Sequence, residues 1–554
     1  MSLRIAPLAV FAAASAMPPA WAQSPQTLIA EANRDYAAKR YAQAAAAYLR
    51  VFELDPAEPS FAYNAACCQA LLGQVEAAFQ SLERAVGAGF ANAEGTARDT
   101  DLAPLRTDAR WDGLLARMRD RGLKERAFWN SPALATDYRE TLSEDERIAG
   151  LSRFWSEVKF NFVDTDRLDA LDWDGLYLRA LPKVRAASST ADYYRLLSEL
   201  CAQLKDGHTN VYPAAALIES QMARPLLQTR LVEGRVLVTR VEDGALKAQG
   251  VRPGVEVVTV DGKPVKAYAE TFLAPYQSAS TPQDLDTRTY TYAFLSGPLA
   301  ETARVGFLDE AGRRFECAVS RVPGEVRRKE MPSEPPFSFR MLPGGVALVT
   351  LSTFGTSATA DQFMEAFPQL SKARALILDV RANGGGNSSV GYRILATLAK
   401  EPFLGTAWAT RDYKPAFRAW ERPRQVFRQS PTPMPPDAAR HFDGPVALLT
   451  SPATYSAAED FSVAFVAMKR GLVIGEPTGG STGQPLFIRL PGGGTARICT
   501  KRDTFPDGKP FVGVGVQPDR LVRPRVADFR QGRDTVLEAA LEALSRQDKV
   551  KAQP

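Results

Sequence analysis

From Ala347 to about Leu544 the chain alternates short apolar runs with helix-length segments, which restricts its second half to an α/β layered domain. Ala347–Leu351, Leu376–Val380, Val446–Thr450 and Leu472–Ile474 are short continuous apolar runs and read as buried strands. Asp361–Leu370 and Ala457–Met468 have helical length and lie between them. At 554 residues the chain is too long for a single core, so further domains must precede this one. Hydrophobic content of 45% and charged content of 24% suit an ordinary globular protein. A net charge of +5 with no Lys/Arg cluster argues against a nucleic-acid partner. The five cysteines are scattered apart from the Cys67–Cys68 pair, which gives neither a disulfide framework nor a metal motif. Two isolated histidines cannot make a usual ligand set, so no metal or other cofactor is expected.

The segments ahead of the α/β part differ in kind. Arg4 is the only charge in residues 1–22, the apolar run Ile5–Met17 follows it, and Ala20-Trp21-Ala22 supplies a small-x-small cleavage site. That is the layout of a secretory signal peptide over 1–22, with a bacterial periplasm as the expected destination. No later segment is apolar for the roughly 20 residues a membrane span needs. Residues 26–90 repeat with a period of 34, which lays Tyr41 over Val75, Ala44 over Ala78 and Tyr48 over Leu82. The pattern resembles a pair of tetratricopeptide repeats and implies a helical packing or partner-binding region over 23–125. A helical subdomain over 126–221 follows. In it Thr190-Ala191-Asp192 can start a helix, and Leu196, Leu197, Leu200 and Leu204 form one face ending at Gly207. Strand-like Arg235–Thr239, a short helix Ala245–Gln249, strand Val255–Val260 and the turn Asp261-Gly262 then resemble the second half of a PDZ domain, over 222–325. A polar, Pro-rich linker over 322–336 leads into the α/β core of 337–545.

Four motifs could carry chemistry. They are Asp206-Gly207-His208-Thr209, the stretch Asp379–Gly386 ending in three glycines, Thr454-Tyr455-Ser456-Ala457-Ala458-Glu459, and Gly513–Asp519. Ser456 follows a strand and a tight Ser451-Pro452-Ala453 turn and opens a helix, where free N–H groups and the helix dipole favour a developing oxyanion. A helix-capping serine would look the same. The triple glycine lets a backbone approach a ligand closely. His208 follows a helix end, whereas His441 has no motif around it, and an imidazole is the group able to take a serine proton at neutral pH.

In order and spacing the four motifs resemble the C-terminal processing (tail-specific) protease family and its relative, the tricorn core protease, over about residues 140–545. The resemblance implies a helical N-terminal part, an embedded PDZ domain and a crotonase-like α/β spiral core. It makes Ser456 the nucleophile and assigns the oxyanion hole to the amides of Ala457 and of Gly385 or Gly386. The processing branch takes a lysine as base, but Ser481 stands in that place within Gly475–Thr482. The tricorn branch uses a histidine from the preceding subdomain, which points to His208. That branch also has a serine before its histidine and a glutamate near the final motif, where this chain has Gly207 and Val512. The acid orienting His208 is left open between Asp206, Glu459 and Glu476. The expected function is an exported serine endopeptidase acting on peptides or proteins. The alternative is a catalytically silent relative that binds peptides or other ligands, or serves as a periplasmic scaffold.

Overall fold

The computed structural model describes residues 25–551, so the expected signal peptide lies outside the described residues. The chain divides into two compact units after Pro132. In the first, Pro25–Ala37 and Tyr41–Leu54 form one helical hairpin and Ser60–Leu71 and Val75–Gly87 a second. The residues that repeat along the sequence are therefore structurally matched, since Tyr41 and Val75 each open the second helix of a pair. Ala44 and Ala78 are fully buried, as close helix crossings require. The helix Trp111–Trp129 runs through the boundary expected at residue 125.

The second unit begins with four helices, Glu144–Asn161, Thr165–Leu171, Trp173–Arg185 and Thr190–Ala202. Ser143 and Glu146 form a reciprocal capping box at the first of them. The last is capped by Ser189, one residue ahead of the expected start, whose hydroxyl accepts from the Asp192 amide. These helices do not form a core of their own. Phe154, Leu197 and Leu200 pack with Ile488 and Ile498, from two strands far later in the chain, and with Leu490 just after the first of them.

Five antiparallel strands follow, in the order Leu227–Val232, Arg235–Val241, Glu256–Val260, Thr302–Leu308 and Arg314–Ser320. Asp261 and Gly262 have φ values of 49° and 75°, as a tight hairpin with both central residues left-handed demands. The linker expected over 322–336 contains a short helix, Gly324–Glu330.

The core sheet has six strands in the order Arg520–Leu521, Leu472–Gly475, Val446–Thr450, Ala375–Asp379, Val346–Leu351 and Phe337–Leu342. The first five are parallel and the last is an antiparallel edge. Burial on both faces explains the continuous apolar sequences of the four inner strands. One face is covered by helices Ala358–Leu370, Ser388–Ala396 and Ala457–Ala467, the other by Val536, Ala540 and Leu544 of the C-terminal helix. Arg381 joins the end of a central strand to that helix by pairing with Asp379 at 2.6 Å and Asp534 at 2.8 Å. Loops leaving the C-terminal ends of three adjacent parallel strands carry Gly384–Gly386, Ser456 and Ser481. Side-chain chemistry concentrates at that edge in open parallel sheets. A smaller sheet brings the strand after His208, Asn210–Tyr212, against Thr495–Cys499.

Candidate active site

Ser456 stands at the turn between a buried strand and the helix Ala457–Ala467, with φ 56° and ψ −124°. A serine rarely adopts that left-handed conformation, so surrounding contacts must hold it there. Its amide donates to the Ser481 carbonyl and to Glu459 Oε2, both at 3.2 Å. The preceding Tyr455 amide donates to the Asn383 carbonyl at 3.0 Å. The hydroxyl is thereby turned out of the helix cap toward His208, whose Nε2 lies 3.0 Å from Ser456 Oγ.

His208 is buried, at 4% exposure. Burial, with Arg497, Arg288 and Lys501 nearby, pushes its pKa well below the usual imidazole range, so the ring rests neutral. Nδ1 lies 2.8 Å from Ser481 Oγ, and the ring stacks on Tyr455 with centroids 5.2 Å apart and planes 7° from parallel. Tyr455 Oη lies 3.2 Å from Asp284 Oδ2 and accepts from Arg288 at 2.8 Å. Nδ1–H can thus be donated to the Ser481 hydroxyl, while Tyr455, stacked on the same ring, is held in place by Asp284 and Arg288. With Nδ1–H donated in this way, Nε2 keeps its lone pair for the Ser456 proton. Gly207 makes the stacking possible, because a Cβ there would meet Tyr455 Oη at 1.7 Å.

None of the three acids considered from sequence hydrogen-bonds the His208 ring. Asp206 accepts from the His208 amide and the Thr209 hydroxyl, both at 2.9 Å, and so shapes the turn instead. Glu476 pairs with Arg230 at 2.5 Å. Glu459 is fully buried and accepts from Thr478 Oγ1 at 2.5 Å and from the amides of Gly480 at 2.8 Å, Ser481 at 2.9 Å and Ser456 at 3.2 Å. Burial pushes its carboxyl up to about 8 against the pull of those four donors. Glu459 therefore clamps the loop bearing Ser481 onto the turn bearing Ser456. The partner of Nδ1 is the Ser481 hydroxyl, and the acid near the ring is Asp284, a residue outside all four motifs that holds Tyr455 against it. His441 instead lies 3.2 Å from Asp443.

The glycine loop meets Ser456 closely. A Cβ on Gly385 would lie 2.6 Å from Ser456 Cβ, and one on Gly386, with φ 138°, would lie 2.2 Å from the Phe354 carbonyl carbon. The two glycines offered for the oxyanion hole are not equivalent. The Gly385 amide is already donated to Asn383 Oδ1 at 2.9 Å, which removes it as a free donor. The Gly386 and Ala457 amides have no hydrogen-bond partner among the described residues. A neutral base beside a hydroxyl, with two free amides nearby, can support attack on a carbonyl and hold the resulting oxyanion. The site opens into a cavity of about 470 Å³. All five cysteines are buried and free.

Residues 345–522 match peptidase family S41. The chain is 25% identical over 389 residues to putative tricorn protease homolog 2 of Streptomyces coelicolor, covering 67% of this chain and 30% of that protein. It is 26% identical over 295 residues to the chloroplastic C-terminal processing peptidase of Tetradesmus obliquus, covering 52% of this chain and 57% of that one. The matched regions thus span less than two thirds of either relative. Among solved structures, mature CPAF complexed with lactacystin superposes with a TM-score of 0.58 at 14% identity, covering 74% of this chain and 98% of that one. That likeness is one of fold: a mixed α/β architecture with a helical N-terminal part.

Proposed function

We propose that this chain, whose segment 345–522 belongs to peptidase family S41, is an exported serine endopeptidase working through an acyl-enzyme on Ser456. The observation carrying this reading is the 3.0 Å approach of His208 Nε2 to Ser456 Oγ from a different subdomain. A peptide carbonyl placed against Ser456 is attacked as His208 takes the hydroxyl proton. The amides of Ala457 and Gly386 receive the oxyanion. His208 then protonates the departing amine, and water repeats the sequence on the acyl group. Ser481, in the place where the processing branch carries its lysine, supports the tricorn-like assignment of a histidine base. On the same reading residues 222–325 are a PDZ-like domain, 337–545 a crotonase-like core, and 23–125 a tetratricopeptide-like region open to a protein partner. Export through the signal peptide of 1–22 to a periplasm completes the proposal.

A fluorophosphonate probe tests it, because the probe reacts with an activated serine. Mass spectrometry of the labelled chain is expected to find the adduct on Ser456 and to find none in Ser456→Ala. Peptide hydrolysis that survives in Ser456→Ala would remove the proposal.

The two residues against the His208 ring, Ser481 and Tyr455, carry their own test. Tyr455→Phe keeps the stacked ring but removes the hydroxyl, and a lost hydrogen bond of this kind is expected to lower kcat by about five- to tenfold. If the hydroxyl acts through Ser481, Ser481→Ala combined with Tyr455→Phe costs no more than Ser481→Ala alone. Fully additive losses would show that the two hydroxyls act independently.

A further inference from the structure

Arg497 lines the same cavity as Ser456 and His208. Its Nε and Nη2 donate to Asn210 Oδ1 at 2.8 and 2.6 Å, and Nη2 also donates to the Gly207 carbonyl at 3.1 Å. Those contacts fix the guanidinium beside the turn that presents His208. They use neutral acceptors, leave Nη1 without a hydrogen-bond partner among the described residues, and give Arg497 no carboxylate partner there. The other arginine of the cavity, Arg288, is already neutralised by Asp284 at 2.8 Å. Asp284 is the sole acidic residue of the cavity lining, so the cavity keeps one uncompensated positive charge. A guanidinium held rigidly with Nη1 free to donate is suited to a carboxylate, which it can meet with a charge-assisted hydrogen bond.

Resting on the peptidase reading above, we propose that Arg497 forms a subsite selecting substrates that bring a carboxylate into the cleft beside the scissile bond. The carboxylate comes either from an Asp or Glu side chain or from the free end of the peptide chain. Arg497 thereby acts in specificity rather than in proton transfer.

Digestion of a proteome-derived peptide library by the full chain, read by mass spectrometry, tests the subsite. Wild type is expected to prefer cleavage with Asp or Glu at one fixed position beside the cut, by about tenfold over Asn or Gln, the size of one charge-assisted hydrogen bond. Arg497→Gln is expected to flatten that ratio and Arg497→Lys to restore it in part, and a ratio within one enzyme is indifferent to changes in overall rate. Where the terminal carboxylate is the source, cuts instead fall at a fixed distance from the peptide end and are lost when that end is amidated, again only while Arg497 is present. Cleavage by wild type with no acidic or terminal preference, or a preference unchanged in Arg497→Gln, overturns the subsite and leaves the peptidase reading standing. Absence of both cleavage and fluorophosphonate labelling in wild type overturns the two together.

Discussion

Replacing His208 with alanine is expected to lower kcat/KM for peptide hydrolysis by about 10⁴-fold or more, the scale seen when a serine hydrolase loses its base. Among the described residues Ser456 Oγ has no second base within hydrogen-bond reach, since Ser481 stands where a lysine would serve in the processing branch and Glu459 is occupied by four donors. The pH dependence carries the same signature. His208 works as a base only while neutral, so activity is lost as pH falls through its pKa. Burial, reinforced by Arg497, Arg288 and Lys501, lowers that pKa well below 6.5, so the acid limb of the kcat/KM profile should lie below pH 6.5. The residual activity of His208→Ala should lack this limb. A variant that keeps near wild-type turnover, or a wild-type limb centred above pH 7, would show that the proton goes elsewhere.

The parts of this arrangement differ in how far they could be read along the chain. The core strands and helices were legible because burial on both faces writes continuous apolar runs with turn signals between them. Ser456 was legible as a residue opening a helix after a buried strand. What separates it from an ordinary helix cap is its left-handed backbone and a hydroxyl aimed at His208, both set by contacts with Asn383, Glu459 and Ser481. Ser481 could be read only as the absence of a lysine. Its role arises because Glu459 folds the loop from Thr478 to Ser481 back over the helix start, a closure across about twenty residues with no periodic trace. Asp284 gave no signal, since its link to the site runs through Tyr455, 171 residues away along the chain. An orienting acid beside the motifs would have to touch the imidazole directly, whereas here a hydroxyl does. The choice between Gly385 and Gly386 was likewise invisible, because it turns on whether Asn383 takes one amide. The helical subdomain could be outlined but not its dependence on Ile488 and Ile498, which supply part of its core from the far end of the chain.

Glu459→Gln should be strongly damaging, though less so than loss of the base, even though the residue transfers no proton in the proposed reaction. Its two oxygens accept in pairs, Oε1 from Thr478 and Gly480, and Oε2 from Ser481 and Ser456. An amide offers one acceptor atom in place of two, so whichever way it turns, two donors face an NH₂ group in a fully buried position. Each buried donor left unpaired costs about 1–3 kcal/mol, and the cheapest relief is for the loop to move away. That movement withdraws Ser481 from His208 Nδ1 and releases the strained Ser456 backbone, the two supports on which the 3.0 Å approach depends. The expected outcome is a lower thermal midpoint together with a fall of about 100-fold in kcat/KM, the range reached when a positioning shell is lost around a functional group. Counting reactive sites with the fluorophosphonate probe separates the two effects. A clamp at the site predicts slow labelling in every folded molecule, whereas a purely stabilising residue predicts normal labelling in a smaller folded fraction. Normal turnover per folded molecule in Glu459→Gln would show that the loop holds Ser481 in place without this carboxylate.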